Sequence, residues 1–496
     1  MKAIKMIVIF AAILLASCSD DNDRNDTIPE PAPEPEPAPV ACSGAEINPE
    51  RLFLQQLGTD RVIIKWRGDL EGDGGADNVC FGTDIDFMPE ESLTTATETE
   101  TGHLEAELTG LSPDTTYYYS VGGAASAAAS RQFRTSPAGG ALPADGNTRI
   151  WIVGDSGVAG YGKPEAAMVK EGFLSWVEAD NGEPADLFLM LGDNAYNQGT
   201  DLEHQRAIFE VYPELLQTTS LWPTIGNHEM GSLGISRTAD ISSYELLGEE
   251  DNGGPDPEPN TMPYLNIFTL PANGEAGGLA SGTEQYYSFD YANVHVVSLD
   301  SQLSIRDDDQ RAAMLQWLID DLSANSLDWT IVIFHHPPYT KGSHDSDDEL
   351  FDIDQPIFAI REEFTPVFED YGVDLAYSGH SHIYERSVYL SDHTGLSSTY
   401  DPATNAELND DGEPASGQDD QQYTQVTRSG ADDKVVYTVA GNGGKVTTLS
   451  EGYPHPAHFF SDLTVGSVVI DVNDAQLTAS FINAEGAVLD YFTMTR

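Results

Sequence analysis

Five apolar runs, each closing on side chains that bind metals, limit what this chain can fold into. The plainest is Ala185–Leu191, which runs into Gly192-Asp193-Asn194-Ala195-Tyr196. So apolar a run reads as a strand covered on both faces, the pattern of a parallel sheet. Gly192 lets the backbone turn sharply. Asp193 then falls just past the carboxyl end of the strand, where open α/β sheets place their chemistry. Tyr196 follows three residues later, far enough to fold back to the same point. A carboxylate and a phenol are hard ligands for a metal ion.

Alone, a Gly-Asp pair after a strand is more often a turn or a helix cap. Here the pattern recurs. Val153-Gly154-Asp155, Ile225-Gly226-Asn227-His228-Glu229, Ile333-Phe334-His335-His336 and Ser378-Gly379-His380-Ser381-His382 close four further runs. Chance does not account for five such ends in order. Asp, Asn, His and Tyr without cysteine suit hard or borderline ions. His380 and His382 are two apart, so an extended segment sends both rings to one face. By the same alternation His336 should leave the strand opposite His335 and be either a packed histidine or one that supports the ligands. Glu229 is expected to hold a ligand histidine in orientation.

The ordered set GD-x-G, GD-x-x-Y, GNH-E, x-x-H and GH-x-H resembles the purple acid phosphatases, within the metallophosphoesterases. Residues 379–386, GHSHIYER, are a particularly close match. The likeness spans roughly residues 146–450. It implies a four-layer α/β/β/α sandwich and two metal ions. One site would be Asp155, Asp193, Tyr196 and His382, holding Fe(III). The other would be Asp193, Asn227, His335 and His380, holding Fe(II), Zn or Mn, with Asp193 bridging. The implied reaction is hydrolysis of phosphomonoesters by metal-bound hydroxide, with His228 or His344 as general acid. The family usually carries two adjacent histidines at the second of these places; here Asp345 follows His344. Gly441-Asn442-Gly443-Gly444 resembles the family's late glycine turn. A phosphodiesterase or nucleotide hydrolase on the same site, and a surface binding protein with an inactive fold, are the alternatives.

The flanks carry other signals. Residues 1–17 open with Lys2 and Lys5 and run apolar from Ile7 to Ala16, as an export signal does. Leu15-Ala16-Ser17-Cys18 resembles a bacterial lipoprotein box. It implies acylation of Cys18 and anchoring to a membrane of the cell envelope, facing the periplasm or the outside. Residues 18–43 are acidic and rich in Pro-Glu and Pro-Ala, an extended spacer. In residues 44–137, apolar and polar positions alternate: Val62, Ile64 and Trp66 share one face, and a tyrosine-rich run, Thr115–Val121, follows Leu111-Ser112-Pro113. This predicts an all-β sandwich, and it resembles a fibronectin type III domain. Cys42 and Cys80 can pair there or stay as thiols.

From Thr148 strands alternate with helices, so residues 146–496 are read as the α/β catalytic domain. Helices are expected from Pro164 to about Ala179 and over Asp307–Asn325. The second has an apolar face of Met314, Leu315, Leu318, Ile319 and Leu322. Val435–Arg496 alternates by two and predicts antiparallel strands. His103, His204, His295, His393, His455 and His458 carry no motif and are read as structural or surface residues. Acidic residues number 82 against 23 basic, a formal charge of -59. That excludes a basic nucleic-acid footprint and predicts a fold and a substrate encounter helped by salt.

Overall fold

The computed structural model describes residues 38–69, 77–99, 102–180, 182, 184–230, 262–348, 355–425 and 434–496. The export signal, Cys18 and most of the Pro-rich spacer lie outside the described residues.

The alternation after residue 44 builds two sheets. In Arg61–Asp69 the inward set Val62, Ile64 and Trp66 is fully buried. A four-stranded sheet faces it, formed by Thr94–Thr95, Asn78–Gly82, Thr116–Val121 and Gln132–Arg134. Tyr117 and Tyr119 point inward from that sheet, and the Tyr117 hydroxyl accepts the Ser112 N–H at 2.9 Å. Cys42 and Cys80 form a disulfide that packs on Met88.

The sheet holding Arg61–Asp69 does not end within this region. Its strand Pro49–Gln55 pairs in parallel with Ser220–Pro223, Leu54 opposite Ser220. One eleven-stranded sheet therefore runs through both halves of the chain. Charge and aromatic contacts reinforce the seam. Buried Arg51 donates to both carboxylate oxygens of Asp201, each at 2.6 Å, and Arg67 adds a third contact at 2.9 Å. Phe53 packs on Phe209 with ring centroids 5.2 Å apart.

In residues 148–496 two sheets stack face to face. The first contains Thr148–Val153, Leu187–Met190 and Ser220–Pro223, all parallel. The second contains Val294–Ser298, Trp329–Ile333, Leu375–Ser378 and Val435–Ala440, also parallel. Every residue of these strands is buried, as parallel strands covered on both faces require. Trp222 stacks on Phe289 at 3.7 Å between the sheets. Outside the first sheet lies the helix Glu165–Asp180, whose Phe173 stacks on Trp151 at 4.5 Å. Outside the second lies Asp308–Ala324, with Met314, Leu318 and Leu322 packed among Val297, Leu299 and Val332. Burial of each such side chain is worth about 2 kcal/mol, so packing rather than propensity holds this helix. Asp307 caps it by accepting from the N–H groups of Asp309 and Gln310. The layers are helix, sheet, sheet, helix, as expected.

Two expectations need correcting. On the second helix Trp317 and Asp321 are buried as well, while Leu315 packs half-buried against the core and Ile319 is only half-buried. Asp321 is buried there with His295 as its partner. Val435–Ala440 is antiparallel to Tyr384–Leu390 on one side, as expected, but parallel to Leu375–Ser378 on the other; His458–Asp462 and the meander from Gly466 are antiparallel. The alternation did not mark this strand out, because it is covered on both faces.

Candidate metal centre

The carboxyl ends of the parallel strands from both sheets meet at one place. Asp155 follows Thr148–Val153, Asp193 and Tyr196 follow Leu187–Met190, and Asn227 and His228 follow Ser220–Pro223. From the other sheet, His335 follows Trp329–Ile333, and His380 and His382 follow Leu375–Ser378. The turns are tight. Asp155, Asp193 and His380 have φ of 53°, 52° and 65°, a region costly for residues with a Cβ. Neighbouring glycines allow the approach: a Cβ on Gly226 would lie 2.2 Å from the Asp193 nitrogen, and one on Gly192 2.7 Å from His335 Nδ1.

Two overlapping groups result. In the first, the Tyr196 hydroxyl donates to Asp155 Oδ1 at 2.9 Å and lies 3.1 Å from His382 Nε2. His382 Nε2 is 3.3 Å from Asp155 Oδ1. In the second, Asn227 Oδ1 is 2.9 Å from both His335 Nε2 and His380 Nδ1. Asp193 lies between, its Oδ1 at 3.3 Å from His335 Nε2. Ligand atoms of Asp155, Asp193 and His335 all fall within 4.8 Å of one another.

The donor set fits metal ions. His335 Nδ1 donates to the Leu191 carbonyl at 2.8 Å, so in the metal-binding form of the ring Nε2 carries the lone pair. That lone pair faces two oxygen acceptors, Asn227 Oδ1 and Asp193 Oδ1, and a cation would satisfy all three. Asp155 and Asp193 are buried side by side. Burial, with the Asp193 charge adding to it, pushes the Asp155 carboxyl up. Burial also opposes ionisation of Asp193, but His335, His228 and the His228 backbone N–H outweigh it and hold that carboxyl low. Burial, then Asp155 and Asp193, push the Tyr196 phenol far up. Two carboxylates and a phenol with one focus can all ionise together only around strong positive charge.

The two histidines read as acid candidates border this focus. His228 Nδ1 donates to the Asn197 carbonyl at 2.5 Å, and its Nε2 is 3.9 Å from Asp193 Oδ2. The His344 ring stacks on His380 at 3.8 Å. Asp345, in the place of a second histidine, instead binds Lys341 Nζ at 2.5 Å.

Other residues depart from the sequence reading. His336 does not leave on the far side: the strand ends at Ile333, so alternation no longer governs, and its ring sits 4.4 Å from His380. Ser301 receives the N–H groups of both His335 and His336 and lies 3.0 Å from His336 Nδ1. It follows the end of Val294–Ser298, so the strand-end rule could have found it. Glu229 orients no histidine. Its carboxylate accepts four backbone N–H groups, from Gly226, Asp193, Asn194 and Ala195 at 2.6–3.3 Å. It thereby fixes the loop that carries Asp193. Lys445 was not singled out, yet its ammonium lies 4.0 Å from the centre of the Tyr196 ring.

Comparison with known proteins agrees with this geometry. Residues 148–384 match the calcineurin-like phosphoesterase family, and residues 49–135 match the purple acid phosphatase N-terminal domain. Purple acid phosphatase 22 of Arabidopsis thaliana is 26% identical over 284 residues, which are 56% of this chain and 51% of that one. The phosphoenolpyruvate phosphatase of Allium cepa is 26% identical over 367 residues, 70% of this chain and 64% of that one. The chain thus spans about half the length of the first of these relatives. A purple acid phosphatase from yellow lupin (Lupinus luteus) seeds shares the fold, with a TM-score of 0.64 at 18% identity over 91% of this chain and 75% of that one.

Proposed function

We propose that the chain is a purple acid phosphatase among the metallophosphoesterases, and that it hydrolyses phosphomonoesters at a dinuclear metal centre. The observation that carries this reading is the pair of overlapping ligand groups that share Asp193. Asp155, Asp193, Tyr196 and His382 would hold one ion, and Asp193, Asn227, His335 and His380 the other. A phenolate favours a ferric ion in the first group. Asn227 and two imidazoles bring no charge, which suits Fe(II), Zn or Mn in the second. When bound, such a pair supplies an activated water and stabilises charge on phosphoryl oxygens.

The side chains account for the rest. The Leu191 carbonyl and Ser301 fix His335 in register and tautomer. Glu229 holds the Asp193 loop without competing for an ion, since its oxygens are taken by backbone N–H groups. A leaving alkoxide needs a proton, and an imidazole titrates near working pH. His228 has its Nδ1 proton engaged by Asn197, so Nε2 is the atom that would give one. His344 enters from the opposite sheet on a loop held by Lys341.

Elemental analysis should return two metal ions per folded chain, and a mono-aryl phosphate should be hydrolysed faster than a bis-aryl phosphate. Metal-free protein would favour the inactive binding role, and preference for the diester the phosphodiesterase role. Export and lipid anchoring belong to the same proposal. Cys18→Ser should move the protein from membranes to the soluble fraction with catalysis intact; a wild-type protein already soluble would end the anchoring idea.

A further inference from the structure

The turn Gly441–Gly444 is pressed against the Asp155 loop. A Cβ on Gly443 would lie 2.5 Å from the Gly154 carbonyl oxygen, and one on Gly444 2.6 Å from that of Asp155. The residue after this turn lies beside the centre. That residue is Lys445, with its ammonium 4.0 Å from the middle of the Tyr196 ring. The side chain is half-buried, and among the described residues its ammonium donates no hydrogen bond. It feels Asp155 and Asp193 only through space. Withdrawing an ammonium from water without a partner is costly. Once cations occupy the ligand groups, the two carboxylates no longer offset it, and the region carries surplus positive charge.

We propose that Lys445 is a phosphate-binding residue, whose ammonium contacts a phosphoryl oxygen of the bound ester or of released phosphate. This rests on the phosphatase reading and goes beyond its metal ligands. The ring face of Tyr196 keeps the ammonium in place while no anion is bound. An arriving phosphate dianion completes its hydrogen bonding. The contact is to the transferred group, so it serves every ester alike and sets affinity rather than choice of leaving group.

The test is equilibrium binding of inorganic phosphate to metal-loaded wild type, Lys445→Met and Lys445→Arg, with metal affinity measured in parallel. Loss of one charge-assisted hydrogen bond should weaken phosphate binding about tenfold or more in Lys445→Met. Lys445→Arg should recover part of it. If Lys445 only balances the carboxylates of the empty centre, Lys445→Met will bind metal more tightly and phosphate as wild type does, and the proposal is overturned. Wild type that takes up metal but binds no phosphate overturns the phosphatase reading itself. Phosphate binding by wild type with an unchanged Lys445→Met overturns the Lys445 assignment alone.

Discussion

His295 lies in the second sheet, away from the candidate centre, and makes stability depend on pH in a direction that can be stated. Its Nδ1 is 2.7 Å from Asp290 Oδ1 and its Nε2 2.8 Å from Asp321 Oδ2, with the residue 3% exposed. Both ring nitrogens face carboxylates, so both donate and the ring is an imidazolium. Burial works against that charge, but the hydrogen bonds and charges of Asp290 and Asp321 prevail and raise its pKa from 6.5 to about 9. A raised histidine stabilises the fold fully below its unfolded value, and the contribution is lost as pH climbs through the folded value. The window is therefore pH 6.5 to about 9. At 1.36 kcal/mol for each tenfold in the proton equilibrium, the contribution is ~3 kcal/mol. Urea unfolding of wild type and His295→Gln at three pH values across this window measures it. The gap between the proteins should be widest at the acid end and shrink by ~3 kcal/mol at the alkaline end. Groups remote from His295, Asp290 and Asp321 titrate alike in both and cancel. A gap that stays constant with pH would show that His295 is neutral in the fold, and the imidazolium argument would be wrong.

Tyr196→Phe should remove the visible charge-transfer absorption expected of a ferric phenolate while the fold persists; a colourless active wild type would count against iron but not against a dinuclear site. Lys341 is buried and bridges Asp345 and Asp347 at 2.5 and 2.9 Å. Lys341→Met should loosen the His344 loop and lower kcat about tenfold or more, with metal content unchanged; an unaltered kcat would free His344 of any need for positioning. The excess of acidic residues predicts that kcat/KM and Tm both rise with NaCl, since screening shortens from about 10 Å at 0.1 M to about 3 Å at 1 M. A steady fall of both with salt would remove the electrostatic explanation.

What could be read from the sequence follows from where physics acts locally. An apolar run ending in glycine and a ligand-type residue declares both the strand and its functional end, while the division of those residues into two ligand groups was implied by the family resemblance. The direction of His336 was misread because alternation was carried past Ile333, where the strand stops, although the residue is packed beside His380 as a supporting histidine would be. Glu229 was assigned to a histidine because its partners, backbone N–H groups on a loop far back in the chain, leave no mark in sequence. Lys445 follows a glycine turn with no periodicity around it, and only the fold brings it over Tyr196. His295 was rightly taken as structural, but its charge comes from Asp321 on a helix position that reads as solvent-facing. Whether Cys42 meets Cys80 depended on a geometry that no spacing supplies.

The strand pairing of Leu54 with Ser220 bears on how the chain can be divided. A cut near residue 140 looks natural by composition, but it would strip a neighbour from Ser220–Pro223, the strand that delivers Asn227 and His228. The fragment would expose a hydrophobic edge with unpaired N–H and C=O groups, a template for aggregation. It would also leave Phe209 uncovered and Asp201 without either arginine. The two halves should therefore melt in one cooperative transition. The β-rich half thus serves the α/β half as a built-in edge guard, and a homologous module could replace it only if it brought its own equivalents of Leu54, Phe53 and Arg51.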